Sequence, residues 1–197
     1  RYSYGNQPNI IHWNILRLAE SLIGLIDEDE KKAVSIIEKK ISDISSKISS
    51  KWLNMMLQKI GIEIAEPEDE QLVHELLKWM QDNKADFNNT FCHLMEHNHI
   101  NDKVFETDSF KLWKNNWTLR VKKEKNYLDV MKRVNPIFIP RNYLVENALD
   151  EADKGKIDKF NSLIKVINNP YSFQSKYEEY YLTPEIDETN YQTFCGT

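Results

Sequence analysis

The hydrophobic residues of this chain follow a helical pattern along almost its whole length. Apolar side chains recur at steps of three and four residues, which is the spacing of one face of an α-helix. The chain is therefore predicted to be all-α and multi-helical, with a short helix over residues 87–95. The longer stripes are Ile11, Ile15, Leu18 and Leu22; Val34, Ile37, Ile41, Ile44, Ile48 and Met55; Leu72, Val73, Leu76, Leu77 and Met80; Phe110, Trp113, Trp117, Val121, Leu128 and Met131; Leu144, Val145, Ala148, Leu149 and Ala152; and Ile157, Phe160, Leu163, Ile164 and Ile167.

Proline and glycine mark the predicted helix ends. Pro8 suits a first helical turn, and Glu66-Pro67 is expected to open another helix. Asn135-Pro136 is expected to end a helix, because proline disfavours the α conformation in the residue before it. Gly155 stands where a left-handed residue commonly follows a helix C-cap.

The stripe from Val34 to Ile48 resembles coiled-coil heptads until Trp52 shifts the spacing. The stripe could belong to a free coiled coil, or it could pack against the rest of the domain. The run is short for a coiled coil, so we favour packing.

No repeat and no long linker divides the chain. Residues 1–170 are expected to form one helical domain. Residues 171–197 are expected to form an irregular, acidic, Tyr-rich tail that ends in Cys195, third from the last residue. Because Arg1 rather than methionine stands first, we expect the chain to be a piece of a longer protein.

Composition narrows the function classes. Five glycines among 197 residues, about 2.5% against a usual 7% or so, argue against an all-β fold and a glycine-rich phosphate loop. A net charge of −5 favours no anionic partner. The apolar runs are far shorter than the roughly 20 residues that span a bilayer, so no membrane partner is expected. Two cysteines fit a reducing compartment better than a disulfide scaffold.

A cluster of metal-ligand types lies at Cys92, His93, His97 and His99. His93 and His97 are four residues apart, so a helix would project both from one face, as zinc would require. However, Leu94 stands where a zincin has its glutamate, and no second cysteine pair completes a structural site. We favour a polar helix end, and no metal site is predicted.

A basic, aromatic stretch covers residues 111–133, with eight Lys or Arg against two acids and with Trp113 and Trp117 among them. Cations beside stacking surfaces are what single-stranded nucleic acid binds. However, both tryptophans fall on the apolar face of the predicted helix, which favours core packing. Residues 63–75 carry six acids and no Lys or Arg, so the basic stretch could match them within the protein. We favour these structural interpretations over nucleic-acid binding.

No catalytic constellation stands out. The chain has many carboxylates, but no nucleophile elbow, Ser/His/Asp order or paired-acid motif. We predict no catalytic, cofactor-binding or metal-binding residue in this segment.

Two segments nevertheless match a known family. The opening Arg-Tyr-Ser-Tyr-Gly-Asn-Gln-Pro, followed by Trp-Asn-Ile-Leu-Arg-Leu-Ala-Glu at residues 13–20, resembles the selenoprotein O family. Val134-Asn135-Pro136 and Arg141-Asn142-Tyr143-Leu144 are similar to its "NP…RNY" segment. Cys195 stands where the family places cysteine or selenocysteine.

The resemblance implies the helical C-terminal region of a kinase-like fold. The family is understood as a pseudokinase-fold protein adenylyltransferase that transfers AMP from ATP, with Mg²⁺, to hydroxyl side chains (Ser, Thr or Tyr) of proteins. Its nucleotide and metal residues would all precede Arg1, so the segment alone is expected to be inactive. The implied partners are the protein's own N-terminal catalytic lobe and protein substrates. The implied location is cytoplasmic in a bacterium or mitochondrial in a eukaryote.

The resemblance also implies a redox role for Cys195, through a disulfide with a cysteine upstream of Arg1. An accessible thiolate suits exchange. The family's usual Cys-Ser-Ser ending is Cys195-Gly196-Thr197 here, so an unpaired thiol without a role stays open. Cys92 is expected to be a small buried residue beside Phe91.

The remaining motif residues are given structural roles. Gly5 is expected to supply an unusual φ, and Asn6, Gln7 and Pro8 to start the first helix. Asn135, Pro136, Arg141 and Asn142 are expected to form a turn and a helix cap, although Arg141 could instead pair with an acid of the catalytic lobe. The alternative to the enzyme-derived module is a non-catalytic helical protein-interaction module.

Overall fold

The computed structural model describes residues 4–96 and 103–181, with Tyr4 and Ser45 described by their backbone alone. Within these ranges every regular element is a helix, which confirms the all-α prediction. Short 3-10 turns cover Tyr4–Asn6, Lys103–Glu106 and Ser175–Tyr180. The α-helices are α1 (Gln7–Ser21), α2 (Ile23–Ile26), α3 (Glu30–Lys59), α4 (Asp69–Asp82), α5 (Phe87–Leu94), α6 (Asp108–Val121), α7 (Tyr127–Val134), α8 (Asn142–Asp153) and α9 (Asp158–Ile167).

The chain divides into two compact units, residues 1–56 and 57–197, and the boundary falls within α3. In the first unit, Ile37 and Ile41 of α3 are buried, as the stripe predicts, and Ala33, which is not in the stripe, is buried as well. No side chain of α1 is buried. The predicted α1 stripe is therefore present as a helix face, but its side chains are half-buried or exposed among the residues that the structure describes.

The second unit has an aromatic core built by α4 and α6. Trp113 and Trp117 are 5% and 4% exposed, and their indoles stack at 6.0 Å between ring centres. The indole Nε1 of Trp113 donates to the carbonyl oxygen of Leu72 at 2.9 Å, and that of Trp117 donates to Ile60 at 2.8 Å. Both tryptophans are thus satisfied inside the core, which confirms their structural interpretation.

The predicted tail is partly a packed element. The amides of Ile137 and Phe138 donate to the carbonyl oxygen of Pro170 at 2.7 and 3.1 Å. Beyond it, Tyr180 and Tyr181 are 7% and 3% exposed, and the ring of Tyr181 lies edge-on to Phe138. Tyr180 and Tyr181 of the predicted tail are therefore buried, because their side chains find a partner surface that the sequence pattern does not reveal. The division into residues 1–170 and 171–197 stays a prediction.

Helix α4 begins later than predicted. The sequence places its start at Glu66-Pro67, whereas the first helical residue is Asp69. The Asp69 carboxylate accepts the backbone amide of Glu66 at 2.7 Å. This bond holds Glu66 in a turn ahead of the helix.

Two glycines end helices in the left-handed conformation. Gly61 (φ +84°) follows α3, and Gly155 (φ +80°) follows α8 as predicted. In each case the amide two residues after the C-cap returns to the last turn: Ile62 donates to Leu57 and Lys156 to Glu151, both at 2.9 Å. This is the Schellman arrangement, which satisfies carbonyls at a helix end.

The two glycines differ in their surroundings, which gives a matched test. A Cβ on Gly61 would lie 2.9 Å from the Cβ of Tyr127, whereas a Cβ on Gly155 would meet nothing within 4 Å. Gly155→Ala should cost about 1 kcal/mol from backbone strain alone. Gly61→Ala should cost about 3 kcal/mol, because overpacking against α7 is added. Urea denaturation measures both, and equal losses would contradict the close contact.

Candidate functional site

One motif residue of the second unit, Arg141, lies in a polar group that we name the Arg141 cluster (Asp86, Asn89, Arg141 and Tyr181). The Arg141 side chain is only 6% exposed. Its Nη1 donates to Asp86 Oδ2 at 2.7 Å and its Nη2 to Asp86 Oδ1 at 3.2 Å, a bidentate ion pair. Nη2 also donates to Asn89 Oδ1 at 3.1 Å and to the carbonyl oxygen of Tyr181 at 3.5 Å. One guanidinium thus joins three separate parts of the chain.

Local structure places both members of the ion pair. Asp86 is the N-cap residue of α5, and its Oδ1 accepts the amide of Asn89 at 2.7 Å. A carboxylate at a helix N-terminus is also favoured by the helix dipole. Arg141 occupies the N-cap position of α8 in an extended conformation, without a side-chain cap bond. Because the Arg141 side chain does not cap α8, its guanidinium is available to bind Asp86.

Asn135 and Pro136 hold the segment that leads from the end of α7 to Arg141 in place. Asn135 is 1% exposed, and its Nδ2 donates to the carbonyl oxygen of Lys59 at 2.8 Å. In return Lys59 Nζ donates to Asn135 Oδ1 at 3.1 Å. The Cys92 thiol donates to the carbonyl oxygen of Pro136 at 3.6 Å. The "NP" pair is thus tied to the end of α3 and to α5.

Burial shifts two pKa values beside this cluster. Burial of the Cys92 thiol, with a further contribution from the negative charge of Asp86, raises its pKa to about 12. Burial lowers the pKa of Lys59 below its usual range. A thiol with so high a pKa is a poor nucleophile at neutral pH. Cys92 is therefore placed as the small buried residue that the sequence predicts.

A second ion network explains the basic stretch. Arg120 donates through Nε to Asp69 Oδ1 at 2.7 Å and through Nη1 to Glu124 at 3.0 Å. Lys123 pairs with Glu66 at 2.6 Å, and Arg133 with Glu63 at 2.9 Å. Acids of residues 63–75 therefore neutralise three cations of residues 111–133. This confirms the predicted charge match within the protein.

The residues of the opening motif form the start of helix α1. Gln7 is the first helical residue, Pro8 lies in the first turn, and Asn6 holds the N-cap position without capping through its side chain. Instead, Asn6 Oδ1 accepts a hydrogen bond from Asn9 at 3.1 Å. The φ of Gly5 is outside the left-handed region, contrary to the expectation, because a 3-10 turn places this residue in an ordinary helical conformation.

The remaining candidates are not brought together. Asn142 is the first residue of α8 rather than its cap. The ring of His93 stacks on Phe105 with 4.0 Å between ring centres. His97, His99 and Cys195 lie outside the described residues.

Among residues 4–96 and 103–181, no group of three or more metal-ligand side chains occurs that could hold a metal ion. No helix in these ranges is long and apolar enough to cross a bilayer.

Sequence reasoning missed the acids that complete both networks. Asp86 directly precedes the helix predicted over residues 87–95, and an aspartate in this place is a recognisable N-cap signal. That signal can identify the cap but not its second role as the partner of Arg141, 55 residues away. Asp69, 2% exposed, is one of six acids in a run and carries no distinguishing local pattern.

The pKa of Cys92 leads to a labelling prediction. At pH 8, a thiol with a pKa of about 12 is thiolate in about one molecule in ten thousand. In a Cys195→Ser variant, Cys92 should therefore react with Ellman's reagent only as fast as the second unit unfolds, and at once in 6 M urea. Complete reaction within seconds in native buffer would contradict this placement.

Comparison with known proteins gives the chain a family. The family model described as "Protein adenylyltransferase SelO" matches residues 1–168. Among similar proteins, the "Protein nucleotidyltransferase YdiU" of Clostridium perfringens (strain 13 / Type A) is 40% identical over 201 residues, which cover all of this chain and 41% of the relative. The protein of the same name from Pelagibacter ubique (strain HTCC1062) is 40% identical, and this chain covers 42% of it.

A third relative of that name, from Bacillus cereus (strain AH820), is 39% identical, with all of this chain and 41% of the relative covered. The chain thus spans about two fifths of the length of these relatives. The family model covers residues of both units, and the relatives cover the whole of this chain. The chain therefore belongs to the SelO family of protein adenylyltransferases.

Proposed function

We propose that this chain is the C-terminal helical part of an enzyme that transfers AMP from ATP to Ser, Thr or Tyr hydroxyls of proteins. The family match over residues 1–168 carries the proposal. The chain corresponds to about two fifths of its relatives, which favours a helper module within a longer enzyme. The nucleotide and Mg²⁺ ligands would then lie in the remainder of that enzyme.

The proposed partner of the first unit is the enzyme's own catalytic lobe. Helix α1 exposes Ile11 by 44%, Leu18 by 59% and Leu22 by 37%. These residues follow the spacing of one helix face, and such a stripe is normally covered in a folded protein. An apolar stripe of this kind supports docking of α1 onto the missing part of the enzyme.

The second unit would supply rigidity. Its motif residue Asn135 holds the end of α3, and Arg141 joins the start of α5 to Tyr181. In this proposal the "NP…RNY" segment contributes to catalysis only by keeping the module in shape. The terminal thiol of Cys195 would act as a redox-sensitive group, for which the buried Cys92 is unsuited because its pKa is raised to about 12.

An AMP-transfer assay tests the proposal. The intact protein, incubated with Mg²⁺ and a protein substrate, should transfer label from α-labelled ATP but not from γ-labelled ATP. The 197-residue chain alone should transfer neither. If the intact protein binds no nucleotide, the enzymatic proposal fails and the non-catalytic interaction module takes its place.

Two cysteine variants test the proposed redox role of Cys195. Cys195→Ser in the intact protein should abolish the change in AMP transfer that oxidant causes, whereas Cys92→Ala should leave that change in place. An identical oxidant response in both variants would contradict a redox role for the tail.

A further inference from the structure

A surface groove between α4 and α6 has no role in the proposed function. We name it the α4/α6 groove; it consists of two adjoining open cavities of about 370 and 390 Å³ that share Glu75 and Asn116. Trp79 and Trp113 line its floor at one end.

The two helices that form the groove run antiparallel. Trp79, near the end of α4, donates to the Thr107 hydroxyl, which precedes α6. Asp69, at the start of α4, accepts from Arg120 near the end of α6. Both helices have 14 residues, so the groove is about 20 Å long at 1.5 Å per residue. This length accommodates about four turns of a third helix.

One wall of the groove is apolar and unusually exposed. Leu112 and Leu119 are each 65% exposed, although they lie on a helix whose opposite face is buried core. They are seven residues apart, with Asn116 between them on the same face. Apolar side chains at this spacing are what a partner helix contacts when it packs along a helix.

The other wall of the groove, formed by α4, carries acidic side chains that are also seven residues apart. Glu68, Glu75 and Asp82 of the α4 wall are exposed and follow one another every seven residues. Lys78 neutralises Asp82 at 2.8 Å. Glu75 accepts only from the neutral Gln71 amide at 2.9 Å, and Glu68 has no ion pair among the described residues. Two carboxylates therefore face the groove without a counter-charge.

The groove's own cations do not offset them. Arg120 is bonded to Asp69 and Glu124, and Lys123 to Glu66. The lining of the α6 wall from Ser109 to Leu119 contains no charged side chain. A partner that fills the groove therefore gains most by presenting apolar residues to α6 and cations to α4.

We propose that the α4/α6 groove docks a basic amphipathic helix of a partner protein. Its apolar residues, seven apart, would cover Leu112 and Leu119, and Lys or Arg residues on one flank would pair with Glu68 and Glu75. This is the helix-in-groove mode of recognition with charges setting the orientation. A second copy of this chain suits the groove less well, because the cation of its exposed α1 stripe, Arg17, already pairs with Glu20 at 2.6 Å.

The test uses two synthetic 21-residue helical peptides and the 197-residue chain. Both peptides carry Leu at the first and fourth heptad positions, and their flanking positions are Lys in one and Glu in the other. Fluorescence anisotropy at 50 mM NaCl should give the Lys peptide at least about tenfold tighter binding than the Glu peptide, and added salt should weaken it. Equal binding of the two peptides, or no saturable binding of the Lys peptide, would overturn the proposal.

Substitutions in the chain locate the binding. Leu119→Ser, and independently Leu112→Ser, should weaken the Lys peptide by about tenfold or more, because buried apolar contact is lost. The double substitution Glu68→Lys with Glu75→Lys should invert the preference in favour of the Glu peptide. All four residues are exposed, so circular dichroism should show unchanged folding.

The matched controls lie on α8, away from the groove. Leu149→Ser removes a leucine that is 50% exposed, and Glu146→Lys reverses an exposed acid; neither should change peptide affinity. Affinity that falls equally in the control variants would overturn the proposal. A dimer of the chain that Leu119→Ser dissociates in sedimentation would also overturn it, because the groove would then be occupied by a second copy.

Discussion

The ion pair between the buried Arg141 and the partly buried Asp86 joins separate segments of the second unit. Each residue also contributes to the backbone arrangement, since Asp86 caps α5, and Arg141 precedes α8 and reaches the carbonyl oxygen of Tyr181. A bidentate pair of this kind compensates the cost of burying both charges only while both partners are present. Loss of one partner leaves a charge without compensation and releases three parts of the chain at once.

This arrangement changes how the family motif is understood. The "NP…RNY" segment resembles a functional signature, yet its Asn135, Pro136 and Arg141 each contact another part of the second unit. The Asn135 side chain holds the end of α3, the backbone carbonyl oxygen of Pro136 accepts the Cys92 thiol, and the Arg141 side chain holds α5. The first unit is different in kind, since α1 presents an apolar stripe with no buried side chain. The second unit has an extensive aromatic core, whereas the first unit buries a few side chains of α3 and exposes apolar side chains of α1.

The sequence allowed the helices to be predicted well because periodicity is a local property. The stripes located the helices, and the positive φ of Gly155 and the packing of Trp113 and Trp117 followed from the same reasoning. Long-range partners could not be predicted. Nothing near Asp86 indicates Arg141, and the acidic composition after residue 170 conceals that Tyr180 and Tyr181 are buried. The stripe of α1 predicted a helix correctly but could not show that its face is exposed in this chain, because burial depends on partners and periodicity does not report them.

The central claim is that Arg141 acts by holding the fold together. The free energy of unfolding of Arg141→Met, from urea denaturation of the 197-residue chain, tests it most directly. The account predicts a loss of about 3 kcal/mol, since the Asp86 carboxylate would be left without its partner. Lys78→Met, which breaks an exposed pair, should change the same quantity by less than about 1 kcal/mol. An Arg141→Met loss as small as that of the control would contradict the account.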